Sequence, residues 1–273
     1  MKMTVCSQKR KRCLTFGALL VVMTAPGRLF ASDLADVKAR GELIMLCFPH
    51  STSEFVRQKG NGFEGMDYDI LRAFASTHKV ELTVRPVPEF SALIPWLLEG
   101  KGDVIASAFS ITDERQKKVD FSDSYFPVKI MIVTEKKTSY QSTTELANKK
   151  AAVVEGSSRE AFIRNNITAV TIVPVAKTRL AYEAVLAGKA DYAPVDSTSA
   201  MTDLEEYPDL DIAFTFPEKM GYGFAVNKGS DLANALSTHI RRLRSSGVFY
   251  QMLLRCFGPR AVDLVKSIER ETN

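Results

Sequence analysis

The chain has 273 residues, of which 45% are hydrophobic, 25% charged and 9% aromatic. This composition excludes a disordered chain, a collagen-like fibre and a small disulfide-rich protein, and at ~150 residues per domain the length predicts about two domains. The formal net charge is +4, but the first 31 residues carry six basic residues and no acidic one, which leaves residues 32–273 at about −2. A mildly acidic remainder argues against a protein that binds the phosphates of a nucleic acid.

The N-terminal segment has the features of a secretory signal peptide. Basic residues at 9–12 precede a short apolar run, Cys13–Met23, and the small residue Ala31 stands before Ser32. The run is shorter than the ~20 apolar residues of a membrane-spanning helix, and this order of features is typical of a signal peptide. We therefore expect cleavage near Ala31 and a soluble periplasmic protein; a buried N-terminal helix is the alternative.

Cys47 and Cys256 are the cysteines outside this segment. An oxidising compartment permits a disulfide between them, and two buried thiols are the alternative. The sequence has no CxxC pattern, no HExxH pattern and no cluster of Cys and His, so we expect no metal ion and no other cofactor.

The first half of the expected mature chain alternates between strands and helices. Buried apolar runs predict strands, and apolar residues at helical spacing predict helices. In chain order we predict a strand at 43–47, a helix at 68–78, a strand at 80–84, a helix at 90–98 and a strand at 103–108. Strands separated by helices imply right-handed crossovers and a mostly parallel sheet.

The second half begins the same alternation again. We predict strands at 130–133, 151–154, 170–173, 191–195 and 221–226, and helices at 158–164, 177–186, 231–246 and 248–257. The segments 100–103 (Gly-Lys-Gly-Asp) and 188–191 (Gly-Lys-Ala-Asp) both stand between a helix and a strand, which suggests two similarly built lobes. Two α/β lobes leave a cleft between them, where small ligands bind.

Several segments resemble those of one protein family. The segment 103–125 reads DVIASAFSITDERQKKVDFSDSY and closely resembles the signature of the bacterial extracellular solute-binding proteins of the polar amino-acid uptake type. The segments 65–69 (GMDYD), 89–95 and 222–231 resemble further segments of that family, in the same order. These proteins are the periplasmic receptors of ABC importers, and the glutamine-binding protein is one of them.

The resemblance implies a fold and a function. The fold is the type II periplasmic-binding fold, in which two α/β lobes are joined by a two-strand hinge with the ligand cleft between them. We expect lobe 1 to contain residues 32–127 and 222–273, and lobe 2 residues 128–221. The implied protein is a monomeric receptor that captures a small zwitterion, an amino acid, by hinge closure and passes it to the membrane permease of an ABC importer.

Arg115 and Ser110 are the candidate residues for a ligand carboxylate. They follow a predicted buried strand that ends at Ala108, which we place in the site with them, and Thr112 is expected to cap a helix that contains Arg115. Backbone N–H groups beside a guanidinium form a site for a carboxylate. A surface arginine on a short helix is the alternative.

Asp196 is the candidate residue for a ligand ammonium, a role that the resemblance implies. It ends an apolar run and is therefore expected at the carboxyl end of a strand. The alternative role is the N-cap of a helix at 197–204, and Asp196 can fill both roles at once. Ser157 and Ser158 precede another predicted helix, and we expect them to close over the carboxylate from lobe 2. Ser158 is also interpretable as an ordinary N-cap.

Two aromatic regions complete the predicted site. Phe90 corresponds to an aromatic residue that covers the ligand side chain in the related proteins, and a core phenylalanine is the alternative. The segment Phe48–Phe55 departs from the family pattern because it is more polar. Phe48, His50 or Phe55 is expected to face the cleft there, which predicts an unusual pocket for the ligand side chain.

Two other functions stay open. A few proteins of this fold are dehydratases of cyclic amino acids such as arogenate, and such an enzyme needs a cleft carboxylate as general acid, for which Glu155, Asp196 and Glu54 are the candidates. An accessory or sensor protein that partners a periplasmic enzyme or kinase is the other possibility. Some relatives append a lytic transglycosylase domain, and we expect this chain to end before such a domain. A receptor that catalyses no reaction is the leading prediction.

Overall fold

The structure is a computed structural model that describes residues 32–48, 54–218, 220–259, 262 and 265. The predicted signal peptide and its cleavage site at Ala31 lie outside the described residues. Within these residues, no helix is both long enough and apolar enough to cross a membrane.

Strands and helices alternate along most of the chain. The strands are β1 (Glu42–Cys47), β2 (Arg57–Lys59), β3 (Gly62–Glu64), β4 (Glu81–Pro86), β5 (Val104–Ile105), β6 (Val119–Phe121), β7 (Phe126–Val128), β8 (Ile130–Glu135), β9 (Lys150–Val154), β10 (Thr171–Val175), β11 (Ala193–Asp196), β12 (Leu210–Thr215), β13 (Met220–Tyr222) and β14 (Ala225–Asn227). The α-helices are α1 (Leu34–Arg40), α2 (Met66–His78), α3 (Leu93–Leu98), α4 (Asp113–Gln116), α5 (Ser158–Asn166), α6 (Thr178–Leu186), α7 (Ser197–Asp203), α8 (Leu232–Ser245) and α9 (Val248–Phe257).

The first sheet has the strand order β4-β1-β5-β14-β6. Strand β1 is parallel to both β4 and β5, whereas β14, which comes from the C-terminal part of the chain, is antiparallel to β5 and β6. Strands β4, β1, β5 and β6 therefore run in one direction and β14 in the other, so the mostly parallel sheet that the sequence predicts is confirmed in this lobe. The late strand runs in the opposite direction because the chain re-enters this sheet from its other end. We call the body built on this sheet lobe 1.

The second body, lobe 2, repeats this plan. Strand β9 is parallel to β10, and a parallel bridge between Ala151 and Tyr192 joins β9 to the start of β11. Strand β8 lies between β11 and β12 and is antiparallel to both. The resulting order, β10-β9-β11-β8-β12, has the same pattern of parallel and antiparallel neighbours as lobe 1. Among the described strands of this lobe, β8 alone runs against the other four, so the prediction of a mostly parallel sheet is confirmed here as well.

Strands β7 and β13 connect the two lobes. They pair antiparallel, with Phe126 opposite Tyr222 and Val128 opposite Met220, and form the two-strand hinge. At Gly221 an added Cβ would lie 2.1 Å from Ser124 Oγ, so a side chain does not fit there. The expected lobe boundaries, between 127 and 128 and between 221 and 222, stay a prediction.

The hydrophobic residues divide between the lobes in the same way. In the described residues, two clusters contain buried residues from 37–128 and from beyond 221, including Phe74, Phe224 and Phe249. Two further clusters contain buried residues from 130–216, including Tyr182 and Tyr192. Each fully buried side chain of this size contributes roughly 1.5–3 kcal/mol relative to exposure, so each lobe has its own core.

The two Gly-Lys-x-Asp segments have the same structural role in the two lobes. Gly100 and Gly188 adopt positive φ after a helix, a conformation that glycine accepts without steric cost. The Asp103 carboxylate then accepts a hydrogen bond from the Ile44 N–H at 2.7 Å, and the Asp191 carboxylate accepts one from the Lys150 N–H at 2.7 Å. Each aspartate thereby joins the start of one strand to its parallel neighbour.

Several predicted elements differ from the observed ones. The strand expected at 103–108 is limited to β5, because Ala108 adopts a φ of 48° and turns the chain out of the sheet. The strand expected at 221–226 is divided into β13 and β14, because the Phe224 N–H bonds to the Ser122 hydroxyl and not to a strand partner. The helix expected at 90–98 begins with a 3₁₀ turn at Phe90–Ala92. Elements that the sequence did not predict are α1, β2, β3, β6, β7 and β12.

Cys47 and Cys256 are both free thiols. Burial is the main cause that raises the pKa of Cys47 to about 12 and that of Cys256 to about 11. High thiol pKa values mean little reactive thiolate at neutral pH. Cys47 is buried and Cys256 is half-buried, so the alternative of two buried thiols is correct for Cys47 and only partly for Cys256.

We predict that Asp103→Ala lowers the free energy of unfolding by about 2 kcal/mol, since the buried carboxylate also accepts a charge-assisted bond from Arg40. The matched change Asp191→Ala removes an exposed carboxylate and should cost less than about 1 kcal/mol. Urea unfolding followed by circular dichroism measures both values. Equal losses in the two variants would contradict this difference.

Candidate functional site

Two neighbouring cavities lie between the lobes. The first has a volume of about 310 Å³, and five of the predicted site residues line it: Phe90, Ala108, Ser110, Ser158 and Asp196. The second has a volume of about 440 Å³, and its lining includes Arg115 and Ser157. Phe90 and Ser158 line both cavities. The structure therefore brings all seven predicted residues into one interlobe region, with Arg115 and Asp196 in adjacent cavities.

Arg115 lies on the four-residue helix α4, which Thr112 caps. The Thr112 hydroxyl accepts a hydrogen bond from the Arg115 N–H at 3.3 Å, as the sequence predicts. The alternative of a surface arginine is wrong, because Arg115 is 8% exposed. Its guanidinium donates to the Ser110 carbonyl at 2.8 Å and lies 3.8 Å from the ring centroid of Phe109 and 5.5 Å from that of Phe90.

The electrostatic environment of Arg115 disfavours its positive charge. Burial, and after it the nearby charge of Arg159, lowers the pKa of the Arg115 guanidinium to about 9, while Asp196 acts in the opposite direction. Among the described residues, no carboxylate forms a salt bridge with Arg115. The guanidinium is still charged at neutral pH. The fold therefore holds a buried cation, and its contacts with the protein offset only part of the free energy that it costs to remove the guanidinium from water.

The segment after Ala108 ties the site to the hinge. The Ile111 N–H donates to the Gly221 carbonyl, the Gly223 N–H donates to the Phe109 carbonyl, and Ser110 forms an antiparallel bridge with Tyr222. Ser110 therefore occupies a position that the hinge strand β13 determines.

Ser157 and Ser158 have different roles at the start of α5. The Ser157 hydroxyl is the N-cap and accepts from the Glu160 N–H at 3.2 Å. Ser158 is the first residue of the helix, and its hydroxyl donates to the Ser110 hydroxyl at 3.0 Å. The interpretation of Ser158 as the N-cap is therefore wrong, and its side chain forms a hydrogen bond between lobe 2 and lobe 1.

Asp196 stands at the end of β11 and at the N-cap position of α7. Its side chain makes no capping hydrogen bond, because Oδ2 accepts a hydrogen bond from Arg159 Nη1 in a salt bridge. Within the described chain, the other oxygen, Oδ1, is buried and has no hydrogen-bond partner. Tyr222 lies close by: burial, and then the charge of Asp196, raises the pKa of its hydroxyl, which bonds with Thr198 at 3.2 Å.

Arg159 is the site residue that the sequence analysis missed. It follows Ser158 on the first turn of α5 and lines the first cavity, with 12% of its side chain exposed. The available signal was its place next to two serines that were already predicted to face the cleft. Its pairing with Asp196 was not predictable, because the two residues are separated by 37 positions.

The predicted aromatic residues line the cavities in different ways. Phe90 packs against the lobe 1 core and also lines both cavities, so the core interpretation is correct, and its covering of a ligand side chain stays a prediction. Phe48 lies edge-on to Phe90 with ring centroids 6.3 Å apart, and it lines the first cavity. Phe55 also lines that cavity and packs against Phe126 and Tyr222 at the hinge. His50 lies outside the described residues.

The buried side chain of Asp67 connects the cleft residue Ala108 with Tyr125 beside the hinge. Its carboxylate accepts from the Ala108 N–H at 2.8 Å and from the Tyr125 hydroxyl at 2.5 Å. The first bond supports Ala108 in a left-handed conformation that a residue other than glycine adopts at a cost. Burial raises the pKa of Asp67 to about 7, although both hydrogen bonds act in the opposite direction.

The described residues contain no group of three or more His, Cys, Asp or Glu side chains placed to hold a metal ion. The carboxylates considered as general acids are also placed unfavourably for that role. Glu54 forms a salt bridge with Arg57 at 2.9 Å, Asp196 pairs with Arg159, and Glu155 is exposed.

Comparison with models of protein families assigns the chain to one family. The model of the bacterial extracellular solute-binding proteins, family 3, matches residues 47–259. The chain belongs to this family. The resemblance that the signature at 103–125 indicates is therefore confirmed, and with it the type II periplasmic-binding fold.

Individual relatives of this solute-binding protein have different descriptions. The probable histidine-binding protein of Campylobacter jejuni is 32% identical over 199 residues, which cover 70% of this chain and 75% of the relative. The membrane-bound lytic murein transglycosylase F of Alcanivorax borkumensis is 27% identical over 251 residues, which cover 89% of this chain and 52% of the relative. The chain thus spans about half the length of that transglycosylase.

Solved structures support the same fold. The amino acid ABC transporter substrate-binding protein AbpA from Streptococcus pneumoniae, bound to L-arginine, superposes with a TM-score of 0.74 at 28% sequence identity. The match covers 84% of this chain and 98% of that chain.

We predict that Asp67→Asn flattens the pH dependence of stability. Between about pH 4 and about pH 7 the folded state keeps the Asp67 proton that the unfolded chain releases. The folded state then binds more protons, so the free energy of unfolding of the wild type falls as pH rises through this range. The asparagine variant lacks this contribution, and urea unfolding from about pH 4 to about pH 8 measures the difference. Parallel curves for the two proteins would contradict the raised pKa.

Proposed function

We propose that this solute-binding protein is a monomeric periplasmic receptor that captures an amino acid between its lobes and delivers it to the membrane permease of an ABC importer. The observation that carries the proposal is the placement of two buried groups in adjacent cavities between the lobes: a guanidinium that no described carboxylate pairs with, and a carboxylate oxygen without a described hydrogen-bond partner. Such an arrangement matches the two charged ends of a zwitterion.

The ligand carboxylate binds at the lobe 1 side of the cleft in this proposal. The Arg115 guanidinium supplies charge-assisted donors, each worth roughly 1.5–3 kcal/mol. The hydroxyls of Ser110 and Ser158, which bond to each other at 3.0 Å, turn to donate to the carboxylate. The N-terminus of the nine-residue helix α5 adds a favourable dipole. An anion here recovers part of the free energy that the fold loses by burying Arg115.

The ligand ammonium binds at the lobe 2 side. Asp196 Oδ1 is the acceptor, since the salt bridge to Arg159 occupies only Oδ2. Because Arg115 belongs to lobe 1 and Asp196 to lobe 2, one ligand bridges the lobes. It stabilises the closed arrangement by contacts that an open cleft lacks, which is hinge closure through β7 and β13.

The relatives support an uptake role, since one carries the description of a histidine-binding protein and a similar solved structure that of an amino acid ABC transporter substrate-binding protein. The proposed receptor catalyses no reaction. The pairing of Glu54 with Arg57 and of Asp196 with Arg159 supports this, because an ion-paired carboxylate is a poor proton donor.

We predict a thermal shift of the purified protein with an amino acid among the twenty standard ones. A ligand at 100-fold excess over Kd stabilises the folded state by about 2.7 kcal/mol, which raises Tm by several degrees. In Arg115→Gln the stability without ligand is equal or higher, because a buried cation is removed, but the shift is lost.

The matched control is Arg164→Gln, which removes an exposed arginine of α5 that pairs with Glu160. It should keep the full shift. A shift that survives in Arg115→Gln would contradict the proposed carboxylate site. The absence of a shift with every amino acid would contradict amino-acid capture and favour the accessory or sensor role.

A further inference from the structure

The charges buried at the cleft do not balance. Arg115 and Arg159 are cations, and among the described residues Asp196 is the buried anion that faces them, while the exposed Glu114 acts on Arg115 more weakly. The side chains of Arg115, Arg159 and Asp196 are nearly buried in the described structure, with 12% exposure for Arg159 and 5% for Asp196. Their sum is one positive charge in a region where solvent screens little, and an uncompensated buried charge is costly.

The other ionisable residues around the first cavity do not remove this excess. Glu54 is already paired with Arg57. Asp203 accepts a hydrogen bond from the Thr202 hydroxyl at 2.9 Å, and within the described residues it forms no salt bridge with Arg159. Lys177, Arg179 and Glu206 are exposed at the mouth of the cavity, where water weakens their interactions.

Arg159 has unused hydrogen-bonding capacity. A guanidinium carries five N–H donors, and within the described residues the contact of Arg159 is the single bond from Nη1 to Asp196 Oδ2. That bond fixes the orientation of the guanidinium on the cavity wall and leaves other N–H groups for a ligand. The fork geometry of a guanidinium matches a second carboxylate well.

We propose that Arg159 makes this receptor selective for an acidic amino acid. This specificity rests on the proposed function, in which the α-carboxylate binds Arg115 and the α-ammonium binds Asp196 Oδ1. The side-chain carboxylate then accepts from the free N–H groups of Arg159. A ligand of net charge −1 neutralises the buried excess, whereas a basic ligand adds a further cation beside Arg159.

The geometry also explains why Arg159 discriminates without abolishing the ammonium site. The salt bridge uses one carboxylate oxygen of Asp196 and leaves the other one. An amino acid with a neutral side chain therefore still has its α-carboxylate paired with Arg115 and its α-ammonium paired with Asp196. It leaves the remaining donors of Arg159 desolvated and unpaired, and this penalty is the source of the selectivity.

Isothermal titration calorimetry with L-glutamate, L-aspartate, L-glutamine and L-arginine tests the proposal on the full-length purified protein. We expect the wild type to bind L-glutamate or L-aspartate at least tenfold more tightly than L-glutamine, and more tightly still than L-arginine. In Arg159→Gln the acidic ligand should lose at least tenfold in affinity, while L-glutamine binds as well as before or better. Arg159→Lys keeps the charge and should keep the order of preference.

The matched control is Arg164→Gln on the same helix, which should leave all four affinities unchanged. The proposal is overturned if the wild type prefers L-glutamine or L-arginine, or if Arg159→Gln leaves the glutamate-to-glutamine ratio unchanged. In either case amino-acid capture itself stands. If none of the four ligands binds to the wild type, or to Arg159→Lys, the acidic specificity is overturned. A thermal shift with another amino acid then decides whether capture fails with it.

Discussion

The buried guanidinium of Arg115 is the constraint on which the cleft depends. An arginine side chain loses its hydration when it is buried, and here the compensation is the Ser110 carbonyl and the faces of two phenylalanine rings. The surrounding structure holds this cation in place because Ser110 is bridged to the hinge residue Tyr222. Under the proposed function, the carboxylate of a ligand satisfies this charge, so that ligand binding and lobe closure are favourable together.

The two lobes supply opposite parts of the proposed site from equivalent positions. Each sheet has the same strand order, and the polar residues follow the carboxyl ends of strands, where ligands of α/β proteins bind. In lobe 1 the chain leaves β5 and turns at Ala108 towards Ser110. In lobe 2 it leaves β11 at Asp196. Asp67 adds a link that joins this turn to Tyr125 beside the hinge, so one buried side chain connects the proposed carboxylate-binding segment with the hinge.

Much of this arrangement could be predicted from the sequence. Apolar runs such as 43–47 and 151–154 are strands, and the signature around Arg115 placed that residue, Ser110 and the cap Thr112 correctly in relation to one another. Local pattern could not predict β7 or β12, since their pairing partners are far away in the chain and antiparallel. For the same reason it could not predict that Arg159 pairs with Asp196. Which hydroxyl caps α5 and which crosses to the other lobe depends on side-chain direction, so Ser157 and Ser158 could be exchanged in the prediction.

The most direct test of the central claim is a crystal structure of the protein with the amino acid that gives the largest thermal shift. The account predicts one ligand that bridges the lobes, with its α-carboxylate within hydrogen-bond distance of Arg115, Ser110 and Ser158 and its ammonium on Asp196. A ligand that contacts a single lobe, with Arg115 still bonded only to the Ser110 carbonyl, would contradict it.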